Sequence, residues 1–174
     1  MNLKNYIRTL DNNTNDTMRL AKSCSSIQLQ FNEEGKWNIM QILEHIYIVD
    51  KVIYRLLLKP SDKLSETEDL LGDNKIKRLV VEKREYKVAA PESLYPKGDI
   101  TDVATFEKLF LQQRTSIKHD LESGKIIIDT RIHKHPYLGE MTIADWLSLI
   151  IHHTHRHLEQ IKDCMFALET NNSL

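Results

Sequence analysis

Glycine and proline are scarce, five and four among 174 residues. An all-β chain of this length reverses direction many times and draws on those residues for its turns, so the shortage argues against sandwiches and barrels and for long helices. Cysteine is scarcer still. Cys24 and Cys164 stand far apart without CxxC spacing, which excludes a disulfide framework and an all-cysteine zinc site and leaves two reduced core thiols. Charge of one sign is also lacking: 24 Lys plus Arg face 25 Asp plus Glu, for a net −1. With no cationic excess to neutralise phosphates, no nucleic-acid partner is expected. No apolar run approaches the roughly 18 residues of a membrane span. The opening MNLKNYIRTLDNN has no apolar h-region, so the expectation is a cytoplasmic protein that does not engage membranes.

What the chain does contain is helical periodicity. Leu3, Ile7, Leu10, Thr14, Thr17, Ala21 and Cys24 recur at steps of three and four, predicting a first helix of about 25 residues that ends near Gln28 to Phe31. After a turn at residues 32–36, Asn38 with Gln41 has capping-box spacing. The second helix then carries Ile42, His45, Ile46, Val49 and Ile53 as far as Lys59-Pro60, where proline stops it. Residues 61–99 are weakly patterned and contain Gly72, Pro91, Pro96 and Gly98. They read as a long crossover with a short helix around Lys75 to Tyr86, and the charged run from Asp62 to Glu85 reads as a solvated face. Thr101 or Asp102 caps a third helix that closes at Gly124. Lys125 to Met141 is extended or looped. Thr142, with Asp145 three positions later, opens the fourth helix. The prediction is an all-α single domain over residues 1–174: a four-helix bundle with a long crossover between its second and third helices.

Five of the eight histidines fall on the second and fourth helices: His45, His152, His153, His155 and His157. On the fourth, Trp146, Leu149 or Ile150, His153, His157, Gln160 or Ile161 and Cys164 share one stripe. Imidazoles at i and i+4 can tilt toward one ion, which is why HxxxH recurs in metal sites. The Glu of HExxH is missing, since position 154 is Thr, which argues against a zincin-type protease. His45 interrupts an otherwise apolar stripe, and three imidazoles facing one core need partners or a shared ion. Hydrogen bonds to backbone or carboxylate, or a wet cleft, would satisfy them equally well on this pattern alone. His152 and His155 lie off the stripe and read as surface or rim positions. His119, His133 and His135 read as solvated, with His135 on a loop that can approach the site. Cys164 is about 10.5 Å along the axis from His157, too far to share its ion. Trp37 and Trp146 read as packing anchors at the bundle end.

The segments Lys36-Trp-Asn-Ile-Met-Gln-Ile-Leu-Glu-His45, Lys87-Val-Ala-Ala-Pro91, His135-Pro-Tyr-Leu-Gly-Glu-Met-Thr142, Asp145-Trp146 and His153-Thr-His-Arg-His157-Leu-Glu-Gln-Ile161, in this order and spacing, resemble the DinB/YfiT-like superfamily of bacterial metal-binding four-helix bundles. The resemblance covers nearly the whole chain. It implies that His45, His153 and His157 bind one divalent ion, for which Zn, Ni, Mn and Fe are the candidates, that the long crossover is a normal feature, and that the protein is a homodimer. It also implies a small-molecule substrate. Members with known activity are thiol S-transferases that join low-molecular-weight thiols such as bacillithiol to electrophiles, and others are described as metal-dependent hydrolases. Three neutral ligands leave coordination positions open and keep the full charge of the ion, which acidifies a bound water or thiol. Thiol transfer or hydrolysis is therefore the expected chemistry. The alternative is a non-catalytic metal-binding module, in a stress-response or ligand-binding role, whose ion only stabilises the bundle.

Overall fold

The computed structural model describes residues 1–83 and 90–171, and the side chains through residue 168 in the last helix. Four long helices form the bundle: α1 (Leu3–Ser23), α3 (Ile39–Leu57), α5 (Val103–Glu122) and α6 (Ile143–Asn171). Their starts follow local chemistry. Asn2, Asn38 and Asp102 each accept the backbone N–H three residues on, satisfying a donor the helix itself cannot pair. Asn38 and Gln41 close a reciprocal capping box, as the spacing predicts. Thr142 and Asp145 do the same for α6.

The first helix is shorter than its periodicity predicts. It ends at Ser23, and a second capping box, Ser25 with Gln28, restarts the chain as the short α2 (Ser26–Gln30). The Ser25 side chain competes for backbone donors that a continuous helix would have paired internally. The helix expected from Lys75 to Tyr86 is α4 (Asp73–Lys77) followed by one π-helical turn, Arg78–Glu82; its last expected residues, 84–86, lie outside the described residues, as does most of the Lys87–Pro91 segment. Part of the stretch expected to be extended or looped is a hairpin, β1 (Ile132–His135) antiparallel to β2 (Gly139–Thr142), with Ile132 opposite Thr142 and His135 opposite Gly139. Gly139, at φ +80°, makes the reversal that a Cβ would strain.

In the bundle α1 packs on α5 and α6, and α3 packs on the same two. Consecutive helices α1 and α3 therefore lie across from one another, and α3 meets α6, the last element of the chain. The core divides into two apolar clusters. One gathers Leu10, Ile53, Ile117, Trp146 and Ile150; the other gathers Met18, Ile46, Phe106, Phe110 and Leu158. Between them runs a polar tie from all four helices. Arg114 donates to Asp50 Oδ2 at 2.8 Å, to Asn13 at 3.1 Å and to Thr154 at 2.8 Å, with Arg114 and Asp50 almost wholly buried. Burial pushes the Asp50 carboxyl up to about 6 in spite of the guanidinium beside it.

The crossover is pinned over the α3–α6 seam by two buried carboxylates. Asp145, at the start of α6, accepts the backbone N–H groups of Leu70, Leu71 and Gly72. Glu44, on α3, accepts those of Lys97, Gly98 and Asp99 at 2.9–3.1 Å. Charge-assisted bonds of this kind hold irregular backbone that has no ladder of its own. Among the described residues, no helix is long and apolar enough to cross a membrane.

Candidate metal centre

The seam beneath the crossover is where the three sequence-selected histidines meet. His45 and His157 are buried and His153 is half-buried. One ring nitrogen from each lies within 4.8 Å of the others, and the ring centroids are 4.5–5.1 Å apart. Helical geometry explains half of this: residues four apart on α6 stand one above the other. The other half comes from the α3–α6 contact, which sets His45 against both.

The outward nitrogens decide what the inward ones can do. His45 Nδ1 donates to the carbonyl of Leu94 at 2.8 Å, and His157 Nδ1 donates to the side-chain oxygen of Gln160 at 2.9 Å. A neutral imidazole has one proton, so both Nε2 atoms present bare lone pairs to the centre. The His157 and His153 Nε2 atoms are 3.1 Å apart. His153 Nδ1 is buried without a hydrogen-bond partner among the described residues. Burial pushes all three away from protonation, and neighbouring rings add to it at His153 and His157: His157 is pushed down to about 3, His153 falls well below the usual histidine range, and His45 is lowered by burial against the opposing pull of its bond to Leu94. Neutral imidazoles with converging lone pairs are a ligand set for a divalent cation, and outward Nδ1–H bonds to carbonyl oxygens are the arrangement that orients such ligands. These residues fit a metal ion.

Other predicted positions sort around this cluster. Cys164 stays outside it, packed among apolar side chains. His155 and His119 are exposed. His152 is a correction: it is buried, because Asp73 of the crossover reaches it, with Oδ1 at 2.8 Å from His152 Nε2. His133 is half-buried on β1, with a buried Nε2 that has no partner among the described residues. His135 is half-buried rather than solvated, its ring 5.4 Å from that of Trp146. Trp37 does more than anchor the bundle end. Its ring lies 4.8 Å from that of His45, and Tyr95 packs edge-on against it at 5.6 Å. Glu44, Leu94 and Asp73 were not picked out by sequence reasoning, and Gln160 was placed on the stripe of the fourth helix without a role. Of the first three only Glu44 carried a signal, an acid within the apolar run before His45.

The sequence profile of the DinB superfamily matches residues 9–161. The chain belongs to the DinB superfamily. A curated relative, an uncharacterized protein, YuaE, from Bacillus subtilis, is 25% identical over 140 residues, spanning 77% of this chain and 80% of the relative. Among solved structures, YfiT from Bacillus subtilis superposes with a TM-score of 0.61 at 15% identity, covering 96% of this chain and 87% of YfiT. YfiT is described as a probable metal-dependent hydrolase with an unusual four-helix bundle topology. This DinB-superfamily chain shares that fold.

Proposed function

We propose that the protein is a metal-dependent enzyme acting on small molecules, with His45, His153 and His157 as the ligands of one divalent ion. The observation that carries this reading is the pair of outward Nδ1–H bonds, to Leu94 and Gln160, which leave the Nε2 lone pairs of His45 and His157 converging on His153. Imidazole ligands suit Zn, Ni and Fe, and Mn stays among the candidates that the resemblance implies. When bound, such an ion lowers the pKa of a coordinated thiol or water so that the nucleophile forms near neutral pH.

Thiol transfer is the chemistry we favour. Among the described residues the ligand cluster itself contains imidazoles only. A thiolate needs no general base at the moment of attack. In the reaction, the sulfur of a bacillithiol-type thiol forms a bond to an electrophilic carbon, the carbon's leaving group departs with its electron pair, and the thiol proton passes to solvent. Trp37 and Tyr95 supply an aromatic wall beside His45 against which an organic electrophile can lie. Hydrolysis is the second reading, favoured by the description of YfiT. The test is to load the protein with each candidate metal and measure turnover of bacillithiol with an alkylating electrophile, and separately of ester and amide substrates. Thiol-dependent product from the loaded protein, absent in His157→Ala, is the expected result. Thiol-independent cleavage selects hydrolysis. Metal bound without turnover of any substrate selects a non-catalytic module.

A further inference from the structure

Glu44 and His45, adjacent on α3, hold the two ends of one short strap of the crossover, residues 91–99, and they hold them unequally. At the far end the buried Glu44 carboxylate accepts three successive amides, those of Lys97, Gly98 and Asp99. Gly98 takes φ +81° there, a conformation open to glycine. Three charge-assisted bonds make this end a fixed pin. The near end is a single 3-10 turn, Glu92–Leu94, closed by bonds from the Leu94 N–H to the Pro91 carbonyl and from the Tyr95 N–H to the Glu92 carbonyl. Among the described residues, the one hydrogen bond that ties this turn to the bundle runs from His45 Nδ1–H to the Leu94 carbonyl, at 2.8 Å. The half-buried Leu94 side chain adds an apolar seat. A lone turn of this length has little stability of its own, so its position depends on His45. Tyr95 follows the turn, exposed, and packs edge-on against Trp37 at 5.6 Å, while the Trp37 ring lies 4.8 Å from that of His45. His45, Leu94, Tyr95 and Trp37 thus close a ring of contacts around one imidazole.

We propose that residues 91–96 are a metal-linked lid: an ion at the three-imidazole centre fixes the His45 ring, the fixed ring holds the Leu94 carbonyl, and Tyr95 is thereby seated against Trp37. This rests on the metal reading above. An imidazole bound through Nε2 no longer turns about its side chain. Its outward bond raises the basicity of the ligand nitrogen, and by linkage the bound ion strengthens the outward bond. Without the ion, one neutral hydrogen bond and one half-buried leucine hold the turn, and it lifts about the pin at Glu44. The aromatic wall is then complete only on the metal-loaded protein, so the ion enters first and an organic electrophile second.

The experiment is amide-resolved hydrogen exchange by NMR on the full chain, metal-free and zinc-loaded, for the wild type and Leu94→Ala, with zinc affinity read by chelator competition. Groups that orient ligands change metal affinity about 10- to 100-fold, so by reciprocity zinc should slow exchange at the Leu94 and Tyr95 amides by about that factor. Cross-peaks between the Trp37 and Tyr95 rings should strengthen with zinc. The Lys97, Gly98 and Asp99 amides should be protected in both forms, since Glu44 holds them without the ion. Leu94→Ala keeps the carbonyl and removes the apolar seat; fewer of its molecules have the lid in place, and zinc should bind about tenfold more weakly. Zinc-bound wild type whose Leu94 and Tyr95 amides exchange as fast as in the metal-free protein overturns the lid and leaves the metal centre standing. Equal slowing at Lys97, Gly98 and Asp99 overturns it too, because the ion then stabilises the whole bundle rather than one end of the strap. Unchanged zinc affinity in Leu94→Ala breaks the reciprocal link and with it the inference. A wild type that takes up no zinc removes the metal reading and this inference together.

Discussion

Two buried polar clusters lie side by side in this bundle, and they are built on opposite rules. In the tie between the apolar halves, Arg114 places its donors on Asp50, Asn13 and Thr154; opposite charges and complementary donors face one another. At the three-imidazole centre the Nδ1–H donors of His45 and His157 point outward, to Leu94 and Gln160, and the His157 Nε2 lone pair meets His153 Nε2 at 3.1 Å. Thr154 and His153 are adjacent in sequence, so a single turn of α6 contributes to both. The contrast separates a polar cluster that fixes helix register from one whose ligand atoms converge: the first is complete in itself, while the second holds three ring nitrogens close enough to share a cation.

The largest effect tests that distinction directly. His157→Ala should abolish stoichiometric metal uptake, measured by elemental analysis after gel filtration, while the protein remains folded by circular dichroism. Full occupancy in that variant would remove His157 from the ligand set. Arg114→Met should behave in the converse way. It strands the Asp50 carboxylate and should lower the unfolding free energy by about 3–5 kcal/mol in urea titrations, while the protein that remains folded still binds metal. Arg114→Met combined with Asp50→Leu should recover much of that loss, because neither charge is then buried alone. If the folded Arg114 variant lost its metal, the two clusters would be one unit.

A smaller effect is expected from the residues that orient the ligands. Gln160→Leu and Glu44→Gln should each weaken metal binding about 10- to 100-fold in chelator competition. The first removes the acceptor for His157 Nδ1. The second loosens the loop after Leu94, whose amides Glu44 holds. Weakening beyond that range, to complete loss, would give Gln160 or Glu44 a ligand's role.

Acidity should sharpen the comparison further. His157 is pushed down from 6.5 to about 3 in the folded protein. Between those values the unfolded chain binds more protons than the folded one, so stability rises with pH up to 6.5 and is lost as pH falls. The slope from one such group is about 1.4 kcal/mol per pH unit. Asp50 works in the opposite sense. Its pKa is raised from 3.8 to about 6, so the folded state binds the extra proton and stability falls as pH rises through that window. Urea titrations of the metal-free protein from pH 4 to 7 should therefore show a flatter pH dependence than His157 alone would give. His157→Leu should remove part of the acid-side loss, and Asp50→Asn should steepen the loss that remains. The reverse pairing would mean that the burial of one of these groups is relieved by opening of the bundle. At the small end, His155→Ala should move stability by no more than about 0.5 kcal/mol and leave metal content unchanged, since His155 is exposed and only distantly paired with Glu159.

Much of this was legible in the chain, and the legible part shares one property: it is local. Capping boxes at Asn38 and Thr142 marked helix starts, and the steps of three and four placed His45, His153 and His157 on inward stripes. The break at Ser25 was written in the same code, Ser-x-x-Gln, but the apolar periodicity running through it concealed the restart. Contacts between distant residues were not legible. His152 lies off the stripe of α6, yet Asp73 of the crossover buries it. The crossover itself has weak periodicity because its order comes from Asp145 and Glu44 accepting its amides from other elements. No window of neighbouring residues carries that information.

The position of α6 has a consequence for how the molecule is made. His45 emerges from the ribosome early and His153 more than a hundred positions later, and part of the surface that α3 buries is supplied by α6. Glu44 and Asp50 find their partners earlier, in the crossover and in α5, while the apolar surface that α6 covers stays open until α6 is made, a surface of the kind that chaperones engage. An ion held by His45, His153 and His157 would bind only once α6 has been made, so it could not nucleate the fold as in a zinc finger, and its uptake would report chains in which α3 and α6 have met.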